Sequence, residues 1–321
     1  MSATDVEEEL LERRRESLFF AFGPTVMSAL ADPTVIEVVL NDDGKLWVHS
    51  LGGKKHVSYM DANDAFAILN QVSSELNGEL SRQNPIVEGE LLLLNGERFT
   101  GVAPPVVANP IFAIRKPASK IFKLDDYVRS GVLTFRQAEL LRQAISERLN
   151  ILVVGGTGSG KTTFCNALLD AIADLTPDRR MLIIQDTLEL QCALEDRAFL
   201  RSSQWTSAAQ LAKVVNRLSP DSITVGEVRD GPPTLVMLKL WNTGHPGGLA
   251  TVHADSAYEG LTRVDQLIQE VSNFPQRVLI GKAVNVAVFL EKRGSQRAVK
   301  EIIRVRGYDE SSNRFQVENI Q

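Results

Sequence analysis

Cysteine is scarce: the 321 residues hold only Cys165 and Cys192, and no CxxC pair. Two thiols cannot build a four-cysteine zinc module, and the count fits a reducing compartment better than a disulfide scaffold. Long apolar runs are missing too, none approaching the roughly 18 to 20 residues that span a bilayer. There is no basic excess. A formal net charge of -5 and a pI near 5.6 speak against a general nucleic-acid-coating role, although they leave room for a small basic patch. The acidic stretch Asp5–Glu9 is unlike the basic n-region and apolar h-region of a signal peptide. A protein made and kept in the cytoplasm is expected. Internal repeats and low-complexity tracts are absent as well.

What remains is ordinary for a folded globular chain, with 44% hydrophobic and 23% charged residues, at a length comfortable for two domains. The first ~25 residues read as a charged helix that packs Leu18, Phe19 and Phe22 inward. Val35–Leu40 and Leu46–Val48 flank Asn41-Asp42-Asp43-Gly44, a hairpin pattern. Asp61 can cap a helix running to about Leu76, with Ala65, Ile68, Leu69 and Val72 on one face. Leu91–Leu94, Asn95-Gly96 and Arg98–Val102 form a second hairpin candidate. Strands and helices do not alternate regularly here, so an α+β domain is expected over residues 1–117. Prolines at 104, 105, 110 and 117 then interrupt any long element, and a linker is expected over 118–134. Over 135–321 the pattern changes. An amphipathic helix after Thr134 leads into strand-like runs alternating with helical ones: Ile151–Val154, Met181–Ile184, Ile223–Val225 and Leu249–Val252. That rhythm signals an α/β domain with a parallel-rich sheet wrapped by helices.

The run Ile151–Val154 is followed by Gly155-Gly156-Thr157-Gly158-Ser159-Gly160-Lys161-Thr162. This is the phosphate-loop pattern GxxxxGK[ST], placed between a buried strand and an amphipathic helix starting near Thr162. Glycines let the backbone curl so that successive N–H groups point at phosphate oxygens, and the helix adds its positive end. Gly156, Thr157, Gly158, Ser159, Gly160, Lys161, Thr162 and Thr163 are thus the candidate nucleotide contacts. Lys161 should reach the β- and γ-phosphates of ATP, and the Thr162 hydroxyl should ligate Mg²⁺.

In an open parallel sheet, ligands bind beyond the carboxyl ends of the strands. There stand Gln185-Asp186-Thr187-Leu188-Glu189, Gly226-Glu227-Val228-Arg229-Asp230 and His253-Ala254-Asp255. Glu227 is the candidate to orient or deprotonate the attacking water, the alternative being a surface ion pair with Arg229. Asp186 or Glu189 could hold Mg²⁺ through water, and Asp186 could instead cap a turn. His253 can donate to a phosphate and relay its presence, or be a satisfied buried histidine. His245 reads as loop structure. Gly247-Gly248 would permit a tight, mobile turn before the His253 strand.

GGTGSGKTT (Gly155–Thr163), IIQDTLEL (Ile183–Leu190), SPDSITVGEVRD (Ser219–Asp230) and TGHPGGLATVHADS (Thr243–Ser256) resemble four ordered boxes. They look like the Walker A, Asp, Walker B and His boxes of the secretion ATPase superfamily, which drives type II and type IV secretion and type IV pili. VIEVVLNDDGKLWV (Val35–Val48) is similar to that family's first-domain hairpin, and GERFTGVAPPV and FAIRKP to its arginine-bearing segments. Within the superfamily the chain looks most like the type IV secretion and conjugal-transfer branch, because the four-cysteine module of type II members and the C-terminal helix motif of retraction members are absent. The resemblance implies a RecA-like P-loop NTPase domain after a smaller N-terminal domain, and a homohexamer with ATP between the two. Arg98 and Arg115 would then reach the γ-phosphate. It implies subunits of an inner-membrane secretion machine as partners, a cytoplasmic place peripheral to that membrane, and no sequence-specific nucleic-acid binding. One departure stands out: Gln185 occupies a position where relatives commonly carry glutamate.

Two other classes fit a phosphate loop. A RecA-like DNA motor is disfavoured by the acidic charge and the His box. A small-molecule kinase would call for an acceptor pocket.

Overall fold

The computed structural model describes residues 3–50, 52–117, 121–202, 206–294 and 296–320. Two compact units divide the chain, Met1–Ser119 and Lys120–Gln321.

The first unit opens with α1 (Ala3–Ala31), broken at Gly23 (φ 69, ψ 171) just before Pro24. Leu18, Phe22, Val26 and Leu30 are buried, a repeat of four that keeps one stripe against the core. Phe19, expected to face inward, is instead exposed; one residue round from Leu18, it lies off that stripe, with Arg15 over its ring at 5.2 Å. The strands are β1 (Val35–Leu40), β2 (Lys45–Ser50), β3 (Gly53–Tyr59), β4 (Ile86–Leu91), β5 (Glu97–Val102) and β6 (Ile111–Arg115). They pair antiparallel throughout, in the order β3-β2-β1-β6-β5-β4. Helix α2 (Ala62–Glu75) is capped by Asp61, whose side chain accepts from the Asn63 amide at 2.8 Å. Phe22, Phe99 and Phe112 stack in the core, with centroids 6.4 and 5.7 Å apart.

The second unit begins with α3 (Leu124–Arg129) and α4 (Phe135–Ser146). Most of the segment expected as a linker is therefore folded: Leu124 and Leu133 are buried in this unit's core. Residues 118–120 lie outside the described residues. Thr134 caps α4 reciprocally with Gln137, a capping box. Then follow β7 (Ile151–Gly155), α5 (Lys161–Leu175), β8 (Met181–Gln185), β9 (Arg197–Arg201), α6 (Ala208–Val215), β10 (Ser222–Val225), α7 (Gly231–Asn242), β11 (Leu249–Val252), α8 (Ala257–Gln269), α9 (Arg277–Ala283), β12 (Val286–Arg293), β13 (Gln296–Asp309) and β14 (Arg314–Asn319). The sheet runs β14-β13-β12-β7-β11-β10-β8-β9, parallel from β12 to β9 and antiparallel over β12-β13-β14.

Alternation along the strands decides which helices cover which face. Ile151, Val153, Met181 and Ile183 pack with α4 and α5 residues such as Leu141 and Leu168. Leu152, Val154, Ala250 and Val252 pack with Leu238, Leu261 and Ile280 of α7, α8 and α9. A sheet buried on both faces reads as continuous apolar runs, as β7, β8 and β11 do. Its inner strand ends are where polar groups collect.

Candidate active site

Strand β7 is buried along its whole length between β11 and β12. Its chain then turns through Gly158 (φ 71) and Gly160 (φ 93) into α5. Both glycines take the left-handed conformation that side chains resist, and Gly160 leads directly into Lys161, the first helical residue. Thr162 and Thr163 lie half-buried in the first turn of α5, and Gly156 and Thr157 are exposed. The Ser159 hydroxyl is buried without a hydrogen-bond partner among the described residues, an unusual cost for a native loop.

The ends of β7 and β11 meet at Lys161, and the end of β10 joins them through His253. Its Nζ donates to the carbonyls of Gly155 (2.9 Å) and Gly156 (3.2 Å) and lies 3.2 Å from His253 Nδ1. His253 Nε2 is 2.8 Å from Glu227 Oε1. Lys161 Nζ is nearly as close to Nε2, at 3.3 Å, so the tautomer follows from Glu227 alone: a neutral ring donates Nε2–H to that carboxylate. Burial pulls the His253 pKa below the ordinary histidine value, and the Lys161 charge pulls it further. Burial also lowers Lys161, with Glu227 opposing the shift.

Glu227 has its other oxygen on Arg229, at 2.5 Å. Arg229 in turn donates to Asp186 at 3.0 Å, and the bond to Glu227 raises its pKa. The two readings of Glu227 are thus not exclusive: the carboxylate pairs with Arg229 and also touches the His253 and Lys161 cluster. The backbone carrying Glu227 is anchored by the Thr251 hydroxyl to the Gly226 carbonyl (2.8 Å) and by the Val228 amide to the Thr251 carbonyl (2.8 Å).

Gln185 is buried, and its Oε1 accepts from the amides of Glu189 (3.2 Å) and Leu190 (3.0 Å). The Asp box turn is further tied to α5, where Asn166 donates to the Glu189 carbonyl at 3.0 Å. Gln185 thus holds the turn that presents Asp186 and Glu189. Its Nε2 has no partner among the described residues.

His245 is held by the Pro220 carbonyl (2.9 Å) and Asn216 (3.0 Å), as loop structure. Gly247 and Gly248 are buried rather than a free turn: a Cβ on Gly248 would lie 2.0 Å from the Ile223 carbonyl oxygen. Arg98 and Arg115 belong to the first unit, directly opposite one another on β5 and β6, with Arg98 donating to Glu88 at 3.1 Å. The sequence offers the Glu227–Arg229 pair but neither the Arg229 bond to Asp186 nor the contacts of Gln185.

A family model described as type II/IV secretion system protein matches residues 26–301. The chain belongs to that family. Two relatives place it in the type IV, conjugal-transfer branch of these secretion ATPases. The probable conjugal transfer protein TrbB of Sinorhizobium fredii is 44% identical over 302 residues, covering 94% of this chain and 92% of its own. The conjugal transfer protein TrbB of Rhizobium radiobacter is 43% identical over 311 residues, covering 97% and 94%. Among solved structures, the pilus retraction motor PilT with bound ADP matches with a TM-score of 0.64 at 19% identity, over 86% of this chain and 80% of that one. That likeness concerns the fold.

Proposed function

We propose that the chain hydrolyses ATP at the phosphate loop. As a homohexamer, it couples that hydrolysis to conjugative DNA transfer and pilus assembly through a type IV secretion machine. The observation that carries the reading is the contact line from Lys161 through His253 to Glu227, built from three separate strand ends around GGTGSGKT. Phosphoryl transfer to water needs little covalent chemistry from a protein; it needs charge on the γ-phosphate and an oriented water. Lys161 supplies the charge. Glu227 holds lone pairs beyond those used by His253 and Arg229, since two carboxylate oxygens offer about four acceptor sites, and one of these takes the water's proton. His253 joins the two, so a change at Lys161 on phosphate binding is felt at the carboxylate.

Among the described residues no group of three or more His, Cys, Asp or Glu could hold a metal alone. The donors at hand suit Mg²⁺, which takes one or two protein oxygens and fills its shell with waters and phosphate oxygens. The Thr162 hydroxyl would hold it, with Asp186 or Glu189 through water. Bound there, it would neutralise charge on the β- and γ-phosphates. Arg98 and Arg115 would add positive charge at the γ-phosphate, a role suited to the guanidinium fork. The ring would work in the cytoplasm against inner-membrane subunits of the machine, without reading a nucleic-acid sequence.

Phosphate release by the purified chain tests the site. Lys161→Ala is expected to abolish release with the fold intact, and Glu227→Gln to bind ATP with turnover lowered by about 10² or more. Arg98→Ala and Arg115→Ala should lower turnover while each unit keeps its melting behaviour. Wild-type rates in Lys161→Ala or Glu227→Gln would move the chemistry elsewhere.

A further inference from the structure

The hairpin of β12 and β13 carries a charge pattern that local stability does not explain. Lys292 and Arg297 are register partners, directly opposite across the two strands. Like charges so placed repel and weaken a hairpin. The neighbouring carboxylate does not relieve them, because Glu291 is engaged by Arg293 (3.0 Å) and Lys300 (3.5 Å). Both side chains are exposed, and among the described residues neither forms an ion pair.

Both lie against the phosphate loop. Arg297 Nε donates to the Gly158 carbonyl at 3.4 Å. A Cβ on Gly158 would stand 3.3 Å from Lys292 Nζ, and one on Gly160 would stand 3.4 Å from Arg297 Cδ. Strand β12 borders β7 on one side, while β11 and β10 lie on the other. The hairpin thus reaches the loop from the flank opposite His253 and Glu227. Two unpaired cations that repel one another are tolerated where an anion binds between or beside them, and breaches of a local rule tend to mark function.

We propose that Lys292 and Arg297 form a second cationic clamp, contacting the polyphosphate of a nucleoside di- or triphosphate from the β12 side of the loop. The clamp rests on the reading that this loop binds ATP. Arginine offers a planar fork for two phosphate oxygens and lysine a mobile point charge, so the pair can follow a phosphate chain that changes length during turnover.

Calorimetric titration of the full chain with Mg²⁺-ADP and with a non-hydrolysable ATP analogue tests this. Lys292→Gln and Arg297→Gln are each expected to weaken binding about tenfold, the range of one charged hydrogen bond, and the double variant by more. Arg293→Gln, whose side chain is paired with Glu291, should bind as wild type. Thermal melting of the nucleotide-free double variant separates a clamp from a structural pair. Removing the repulsion should leave its Tm equal to or above wild type, while the nucleotide-induced rise in Tm shrinks. The clamp is overturned if the double variant binds both nucleotides with wild-type affinity, or if its nucleotide-free Tm falls and affinity falls with it. If wild type and Lys161→Ala alike fail to bind either nucleotide, the ATP reading itself falls.

Discussion

At His253 one side chain joins the two ends of the proposed chemistry, and its titration gives that link a signature. Burial and the Lys161 charge hold its pKa below the ordinary histidine value. The unfolded chain therefore takes up a proton here at a higher pH than the folded chain does. Acidification through about pH 6.5 then costs stability until the folded site is protonated as well. In the folded site protonation comes only at the lower end of that window, where it sets a second cation beside Lys161 and turnover should fall. His253→Asn should flatten the acid limb of the Tm profile; a limb as steep as wild type's would assign it to another group. The candidates at the strand ends were legible because apolar runs end on them. That Lys161, His253 and Glu227 touch was not legible, since it depends on β7, β11 and β10 lying in that order. Arg229 could be read only as an alternative partner for Glu227, because sequence spacing does not show one guanidinium bridging to Asp186 as well. Gln185 looked like a departure from the family; its place under the Glu189 turn gives it a structural use.

Elements were legible where their signals were strong. The buried strands of the parallel sheet, the Asp61 and Thr134 caps and the Asn41–Gly44 hairpin follow from local chemistry and stand where expected. Short or mixed segments were not. Helix α3 spans six residues, too few for a 3.6-residue period to show, so its segment read as linker. Strands β13 and β14 alternate charged and apolar residues in a tail without turn signals as plain as Asn-Gly, and the hairpin beside the phosphate loop went unread. Gly247-Gly248 looked like a mobile turn from its composition, yet tertiary packing fixes it. A Cβ on Gly248 would fall 2.0 Å from the Ile223 carbonyl oxygen and 2.4 Å from Trp241 Nε1, two atoms already bonded to each other at 2.9 Å. Gly248→Ala should therefore cost about 3 kcal/mol, the upper range for overpacking a core, read as a lowered denaturant midpoint. A midpoint within about 0.5 kcal/mol of wild type, the scale of a surface substitution, would contradict that packing.

At the scale of the whole molecule, two units each carry their own core, one around the stacked Phe22, Phe99 and Phe112 and the other around the mixed sheet. The change from irregular to alternating elements falls near residue 135 in the sequence, whereas the second unit begins at Lys120. Assembly is not written in periodicity or composition; it enters through family likeness alone. One measurement tests a hydrolysing ring most directly: the mass of the purified chain in solution with and without Mg²⁺-ATP, with phosphate release followed in the same sample. A six-subunit species releasing phosphate without any added acceptor is the result expected. A monomer that releases no phosphate until a small-molecule acceptor is supplied would contradict it.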